Sequence, residues 1–161
     1  MAVSEITETT QYLTFILDGE LFALDISKVR EVLDYTKITR VPRMPEFMLG
    51  VINLRGSVVP VIDMRTKFGM KRVEKTVNTC IVIVEITLDG DNVIVGTLVD
   101  SVQEVFNLEA AQIEPPPKIG MRLRTEFIKG MGKKEEKFII ILDIDRVFSA
   151  DELSLLQENS E

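Results

Sequence analysis

The feature that most constrains the fold of this 161-residue chain is a loose internal repeat. Three short patterns of the first half return in the second: they begin at Leu17 and Leu88, at Val29 and Val102, and at Glu46 and Glu126. The displacement between copies grows from 71 to 73 to 80 residues, so the halves differ by loop insertions. Residues that both halves share are expected to build the framework. Residues present in only one half are candidates for function.

The repeat predicts one domain made of two similar halves. We place the domain at 11–158, with approximate halves at 11–75 and 78–148 and a C-terminal helix at 149–158. Residues 1–10 are polar and are expected to be flexible. A chain of this length buries roughly 70% of the surface that its unfolded form exposes, which is enough for a sizeable core.

Short runs of β-branched and aromatic residues dominate the chain and are separated by glycine and aspartate. We predict strands at 12–17, 21–25, 51–54, 57–62, 80–88, 92–99, 130–133 and 137–142. The Asp-Gly pairs at 18–19 and 89–90 supply the positive φ angles of tight hairpins. Short capped helical turns are expected at 28–33, 64–68 and 146–148. Many short strands with tight turns indicate an all-β dominated fold of antiparallel barrels with a few short helices.

The composition opposes several classes of function. A net charge of −7 argues against binding a phosphate backbone, which depends on clustered Lys and Arg. The chain has no histidine and one cysteine, Cys80, which excludes the usual zinc sites and Cys–His catalysis. Asp63, Asp100 and Asp143 each end an apolar run, where aspartate is typical as a cap. We therefore predict no enzyme activity, no cofactor and no metal; a hydrolase with paired carboxylates is the much weaker alternative.

Two further patterns bear on location. The amino terminus has neither a positive region nor an apolar run typical of a signal peptide, and no apolar stretch reaches the ~20 residues of a spanning helix. A single cysteine fits a reducing compartment. We therefore expect a cytoplasmic protein without direct membrane insertion.

Residues 49–65, Leu-Gly-Val-Ile-Asn-Leu-Arg-Gly-Ser-Val-Val-Pro-Val-Ile-Asp-Met-Arg, form the most specific motif. With Val-x-Glu-Val at 29–32 and Gly-x-Leu-Val-Asp-x-Val at 96–102, the motif closely resembles the CheW-type chemotaxis coupling proteins, and the resemblance extends over 11–158. It implies two five-stranded SH3-like β-barrels with some strands exchanged between them.

The same resemblance implies a non-catalytic adaptor in chemotaxis signal transduction. Such a protein couples the cytoplasmic tip of methyl-accepting chemoreceptors to the regulatory domain of the chemotaxis histidine kinase, in arrays on the inner face of the membrane. The alternative is a small β-barrel binding module for another partner, either a nucleic acid or a different kinase.

The resemblance also implies two sets of contact residues. The receptor tip is expected in a groove between the barrels, against Val29, Glu31, Gly50, Arg55, Gly96 and Val102. Ring or kinase contacts are expected around the proline-rich loop, at Ile113, Lys118 and Ile119.

Arg55 is the best functional candidate on grounds independent of the resemblance. Its counterpart in the second half is Glu135, so the framework does not require a cation there. The role of Glu31 is more ambiguous. Its counterpart, Glu104, is also a glutamate, and a residue shared by both halves is expected to have a structural role. We hypothesise that Glu31 and Arg55 form an ion pair across the barrel boundary. Val29, Gly50 and Val102 also have counterparts, and their default interpretation is packing.

Overall fold

Strands joined by tight turns make up most of the computed structural model, which describes residues 9–88, 90–116 and 125–148. The strands are β1 (Thr9–Leu17), β2 (Glu20–Asp25), β3 (Val29–Asp34), β4 (Met48–Leu54), β5 (Ser57–Asp63), β6 (Cys80–Leu88), β7 (Asp91–Val99), β8 (Ser101–Glu109), β9 (Ile113–Glu114), β10 (Ile128–Lys134) and β11 (Lys137–Leu142). Two one-turn helices, α1 (Met64–Lys67) and α2 (Ile144–Val147), follow β5 and β11. The 3₁₀ turns are Ile26–Lys28, Ala110–Gln112 and Thr125–Phe127.

The strands form two sheets. The terminal sheet has the order β8-β1-β2-β11-β10-β9 and contains the first two and the last four strands of the described chain. The central sheet has the order β3-β6-β7-β5-β4. The predicted all-β dominated fold of two small subdomains with short helices is confirmed. The terminal sheet has one strand more than expected, the two-residue β9, and the predicted helix at 149–158 lies outside the described residues.

Each sheet takes strands from both halves of the sequence. The hairpin β1–β2 leaves the first half to pair with β8 on one side and, in parallel, with β11 on the other. In return, the hairpin β6–β7 leaves the second half to pair with β3 and, in parallel, with β5. The exchange is reciprocal, so neither half of the sequence contains a complete sheet.

The longest repeated pattern has the same structural role in both copies. The amide of Asp63 donates to the carbonyl oxygen of Phe47 at 2.7 Å, and their counterparts 80 residues later make the same bond at 2.8 Å. The register of the following hairpin shifts at Gly50 in the first copy and at Gly130 in the second. These shared residues therefore build a bulged hairpin, as expected for framework positions.

A column of phenylalanine rings in contact, two pairs stacked and one tilted, passes between the two sheets. It runs through Phe15, Phe22, Phe68 and Phe127, with successive ring centroids 5.9, 6.1 and 5.9 Å apart. The first two rings belong to the terminal sheet, and Phe68 follows α1 at the end of the central sheet. Beside the column, the ammonium of Lys67 lies 4.8 Å from the ring centroid of Phe47. The largest apolar cluster is thus shared by both sheets and is the core of one domain.

The predicted helix at 28–33 is wrong. Residues 26–28 form a single 3₁₀ turn, and Val29–Asp34 is strand β3, paired with β6. The spacing of Val29, Val32 and Leu33 fits a helical face, but burial alternates along the segment, with Val32 exposed. Pairing with a buried strand overrides the weak local helical signal. Strands β8 and β9 were also missing from the predicted set, because their sequences are too polar to read as buried strands.

An ion pair ties the two sheets together where the chain crosses between them. Asp100 lies between β7 and β8, and Arg65 of α1 donates to its carboxylate from Nε at 2.8 Å and from Nη2 at 2.6 Å. The amide of Asp18, in the β1–β2 turn, donates to the same carboxylate at 2.9 Å. Burial raises the pKa of Asp100, but these hydrogen bonds and the charge of Arg65 outweigh it and hold the pKa below its usual value.

The other crossover, between β2 and β3, has a matching ion pair with the charges reversed: the cation lies at the crossover and the anion lies in the helix. Lys28 donates from Nζ to Oδ2 of Asp145 at 2.8 Å, and the amide of Thr87 donates to Oδ1 at 2.9 Å. Asp145 lies in α2, 80 residues after Arg65. Equivalent helices therefore anchor the two crossovers, one through a cation and the other through an anion.

Separating the halves tests the reciprocal exchange. Fragments 1–76 and 77–161 are each expected to be unfolded alone, because each lacks strands that complete its sheets, and an equimolar mixture should recover β structure. Far-ultraviolet circular dichroism and thermal melting measure this. A cooperative transition of either fragment alone would contradict it.

Asp100→Asn tests the ion pair at the crossover. We expect the free energy of unfolding to fall by about 1–3 kcal/mol, because the buried donors of Arg65 lose their ionised acceptor. A carboxylate with a lowered pKa stabilises the fold above its unfolded-state pKa of about 3.9, and that stabilisation is lost as the pH falls through the folded-state pKa. In urea titrations, the difference between wild type and variant should therefore shrink below about pH 4. Asp34→Asn, at an exposed position, is the control, and an equal loss there would exclude a specific role for Asp100.

Candidate functional site

Arg55 is presented at the tip of the β4–β5 hairpin. The two turn residues, Arg55 and Gly56, have φ angles of 49° and 88°, the positive values of a type I′ turn. The side-chain oxygen of Asn53 accepts a hydrogen bond from the amide of Gly56 at 2.8 Å and holds the turn. The side chain extends from the turn, and 71% of it is exposed.

Arg55 forms the hypothesised ion pair with Glu31. Nη1 donates to Oε1 at 3.2 Å and Nη2 donates to Oε2, so the contact is bidentate. Strands β3 and β4 are the two edges of the central sheet, and the pair therefore joins both edges of one barrel. The expectation that it crosses the boundary between barrels is wrong, because the hairpin that carries Arg55 stays in the same sheet as Glu31.

The pair favours the ionised form of Glu31. The hydrogen bonds from Arg55 lower the pKa of Glu31 below its usual value, with a smaller contribution from the charge of Arg55. Exposed pairs of this kind contribute little to stability because water and salt screen them. Their geometry is nevertheless specific, since a guanidinium held by two bonds presents its remaining N–H groups in a fixed direction. The arrangement is suited to orienting a partner.

An open groove of about 750 Å³ lies beside the ion pair, and we call it the Arg55 groove. All five strands of the central sheet line it, and its apolar residues include Val58, Pro60 and Ile94. Val58 is 54% exposed. An apolar floor with charges at the rim is the composition of a protein-binding surface. The groove is formed by the central barrel alone and differs from the groove between the barrels that was expected.

The six predicted receptor-contact residues do not form one surface. Glu31 and Arg55 line the Arg55 groove. Val29 and Val102 are half-buried at the starts of β3 and β8, directly after the two crossovers. Gly50 and Gly96 are buried, and core packing accounts for both.

Close packing explains why the two buried glycines lack a side chain. A Cβ added to Gly50 would lie 2.1 Å from the carbonyl oxygen of Thr39, which pairs with Val51 as an isolated bridge. A Cβ added to Gly96 would lie 3.0 Å from Cγ2 of Ile81. Their roles in receptor contact remain predictions.

The second predicted set is described only in part. Ile113 is half-buried in β9, where it pairs with Gly132, and a Cβ on Gly130 would lie 2.5 Å from its Cγ2. Lys118 and Ile119 lie outside the described residues.

Sequence reasoning missed the apolar floor of the Arg55 groove. The sequence offered little signal for it, because Val58 lies in an apolar run and burial does not alternate along β5, where Ser57 and Val58 are both exposed. Arg30, which also lines the groove and pairs with Glu85, was hidden by the wrong helical assignment of β3.

The described ranges contain no group of three or more His, Cys, Asp or Glu side chains placed to hold a metal ion. Within the same ranges, no helix has the length and apolar character needed to cross a membrane.

Comparison with known proteins finds one family throughout. Residues 11–152 match the CheW-like domain family. The chemotaxis protein CheW of Klebsiella aerogenes is 38% identical over 146 residues, which cover 91% of this chain and 86% of that protein. The CheW of Bacillus subtilis is 30% identical and 92% of each chain is covered. The scaffolding protein TtCheW from Thermoanaerobacter tengcongensis has a similar structure, with a TM-score of 0.80, 38% identity and coverage of 90% of this chain and 96% of its own.

Gly50→Ala tests whether this glycine is structural. The added methyl group meets a backbone oxygen, so we expect the free energy of unfolding to fall by at least about 1–3 kcal/mol in urea titrations. Gly56→Ala is the comparison, because nothing lies within 4 Å of its added Cβ and only the cost of the turn conformation, about 1 kcal/mol, applies. Equal stability of the Gly50 variant and wild type would contradict the packing explanation.

Proposed function

The chain belongs to the CheW-like family, and from this premise we propose that it is a scaffold that couples membrane chemoreceptors to the regulatory domain of the chemotaxis histidine kinase. It is a chemotaxis coupling protein that acts by binding and catalyses no reaction of its own. It works in the cytoplasm, at receptor arrays on the inner face of the membrane.

The observation that carries this proposal is the exposed Arg55–Glu31 pair beside an apolar groove. Protein interfaces combine apolar contact area with a few oriented charges, and arginine is enriched among their energetically dominant residues. Arg55 sits on a hairpin turn held by Asn53, and Glu31 lies in strand β3, so a partner meets the pair without first ordering a loop. A surface of this kind binds a protein rather than a small substrate.

The receptor contact, in this proposal, centres on Glu31 and Arg55. Apolar side chains of a receptor helix pack into the Arg55 groove, and the guanidinium sets the register of that helix through its free N–H groups. Val29 and Val102, next to the crossovers, extend the contact towards the terminal sheet. Gly50 and Gly96 support it indirectly by letting the central barrel close.

A scaffold changes kinase output by favouring one arrangement of the assembly. Binding shifts an equilibrium only by the difference in its affinity for the two states. A domain whose two sheets share one core transmits a displacement of one partner to the other as a rigid body. The shared core and the ion pairs at both crossovers support this role, because they hold the two sheets together.

A charge-reversal series tests the receptor contact. Arg55→Glu should weaken binding to a purified receptor signalling fragment by about tenfold or more, the loss of an interface residue worth ~2 kcal/mol. The double variant Glu31→Arg with Arg55→Glu should recover part of that affinity, because it restores the pair. Titration by isothermal calorimetry, for the receptor fragment and for the kinase regulatory domain, measures both.

Arg146→Glu is the matched control. Its side chain is also 71% exposed and forms a surface ion pair, with Asp143, in α2. It should bind both partners as wild type does. Failure of the wild-type chain to bind either partner at micromolar concentration would overturn the proposal.

A further inference from the structure

Positive charge is concentrated in one segment of an otherwise acidic chain. Residues 37–75 contain nine Lys and Arg against three Asp and Glu, whereas the whole chain contains 19 against 26. The segment comprises the connection between β3 and β4, the β4–β5 hairpin, α1 and the residues after α1. Clustered charge of one sign creates a local potential that attracts partners of the other sign.

Part of this segment folds into a groove of about 520 Å³, which we call the arginine groove. The β3–β4 connection forms one wall and the residues around α1 form the other, and Arg40, Arg43 and Arg72 stand along it. The apolar lining includes the methionines Met44, Met48 and Met70. None of the residues lining the Arg55 groove contributes to this one.

Two of the three arginines are available to a partner. Arg40 and Arg43 are exposed and make no ion pair or side-chain hydrogen bond with any residue in the described ranges. Arg43 is held at a φ of 62°, a left-handed conformation that is costly for a residue with a side chain. Arg72 donates to the carbonyl oxygen of Glu46 at 2.8 Å and lies 3.6 Å from Asp63, which fixes its position in the groove wall.

We propose that the arginine groove binds a segment of a partner protein in which aspartate or glutamate flanks a bulky apolar side chain. Guanidinium groups match carboxylates in shape and charge and bind them through paired hydrogen bonds. Methionines adapt to apolar side chains of different shapes, and both Met and Arg are enriched at protein interfaces. The methionines beside the arginines give a peptide apolar contacts that neither a free anion nor a phosphate backbone would use.

The binding site is independent of the proposed receptor contact, because the two grooves share no residue. The chain therefore has two separate docking surfaces on its central barrel. Loss of one is expected to leave the affinity of the other unchanged.

The experiment selects binders from a random peptide library displayed on phage, with the full chain as target and the double variant Arg40→Glu with Arg43→Glu as counter-target. Selected peptides should carry Asp or Glu next to Leu, Ile, Met or Phe. One such peptide, labelled with fluorescein, is then titrated by fluorescence anisotropy. The double variant should bind it at least about tenfold more weakly, because two attractive charge pairs become repulsive. Raising the salt from about 50 to about 300 mM should also weaken binding by screening those pairs.

Three controls make the result decisive. Lys133→Glu with Lys137→Glu makes the same change of charge on an exposed hairpin away from the groove, and it should bind the peptide as wild type does. Arg55→Glu should also bind normally, which separates this site from the receptor contact. A peptide with Gln in place of each acid should lose binding. Selection of peptides without acids, or equal weakening by the lysine and arginine variants, would overturn the proposal; circular dichroism of each variant verifies its fold.

Discussion

The structure depends on the reciprocal exchange of hairpins between its two halves. A sheet with open edges exposes unpaired amide and carbonyl groups, and here the missing strands of each half are supplied by the other. The parallel contacts of β2 with β11 and of β5 with β7 can form only after distant segments meet. The phenylalanine column, the ion pairs at the crossovers and the position of the Arg55 hairpin all follow from this arrangement.

Most of the secondary structure could be predicted from the sequence, whereas the pairing of strands between the two halves could not. Turn dipeptides, alternation and the cap at Asp63 predicted eight strands and α1, because each depends on a few neighbouring residues. The exchange depends on contacts between residues up to 118 positions apart, as between Phe22 and Ile140, which no local pattern encodes. For β3, the local pattern was misleading. Val29, Val32 and Leu33 have the spacing of a helical face, but the segment is a strand that pairs with the buried strand β6.

The candidate site was predicted unevenly for the same reason. Arg55 and its pairing with Glu31 were found because the repeat lacks an equivalent cation, a comparison that needs no structure. Gly50 and Gly96 were assigned to the same surface. A glycine in a motif is explained equally well by a closely packed atom that leaves no room for a side chain. Only the position of the Thr39 carbonyl oxygen reveals that neighbour. The apolar floor around Val58 required knowledge of which strand face is outward.

Equivalent positions of the two halves carry charges of opposite sign, which makes the molecule electrostatically asymmetric. The β10–β11 turn has the same backbone conformation as the Arg55 turn, with φ angles of 50° and 68° at Glu135 and Glu136, but it carries two acids. A body with nearly equivalent halves offers a partner two docking orientations related by a half-turn. Because Arg55 occupies the turn of one half and Glu135 the matching turn of the other, a charged partner is attracted in one of these orientations and repelled in the other. The two halves have similar backbones, and the differences in a few charges distinguish the two docking orientations.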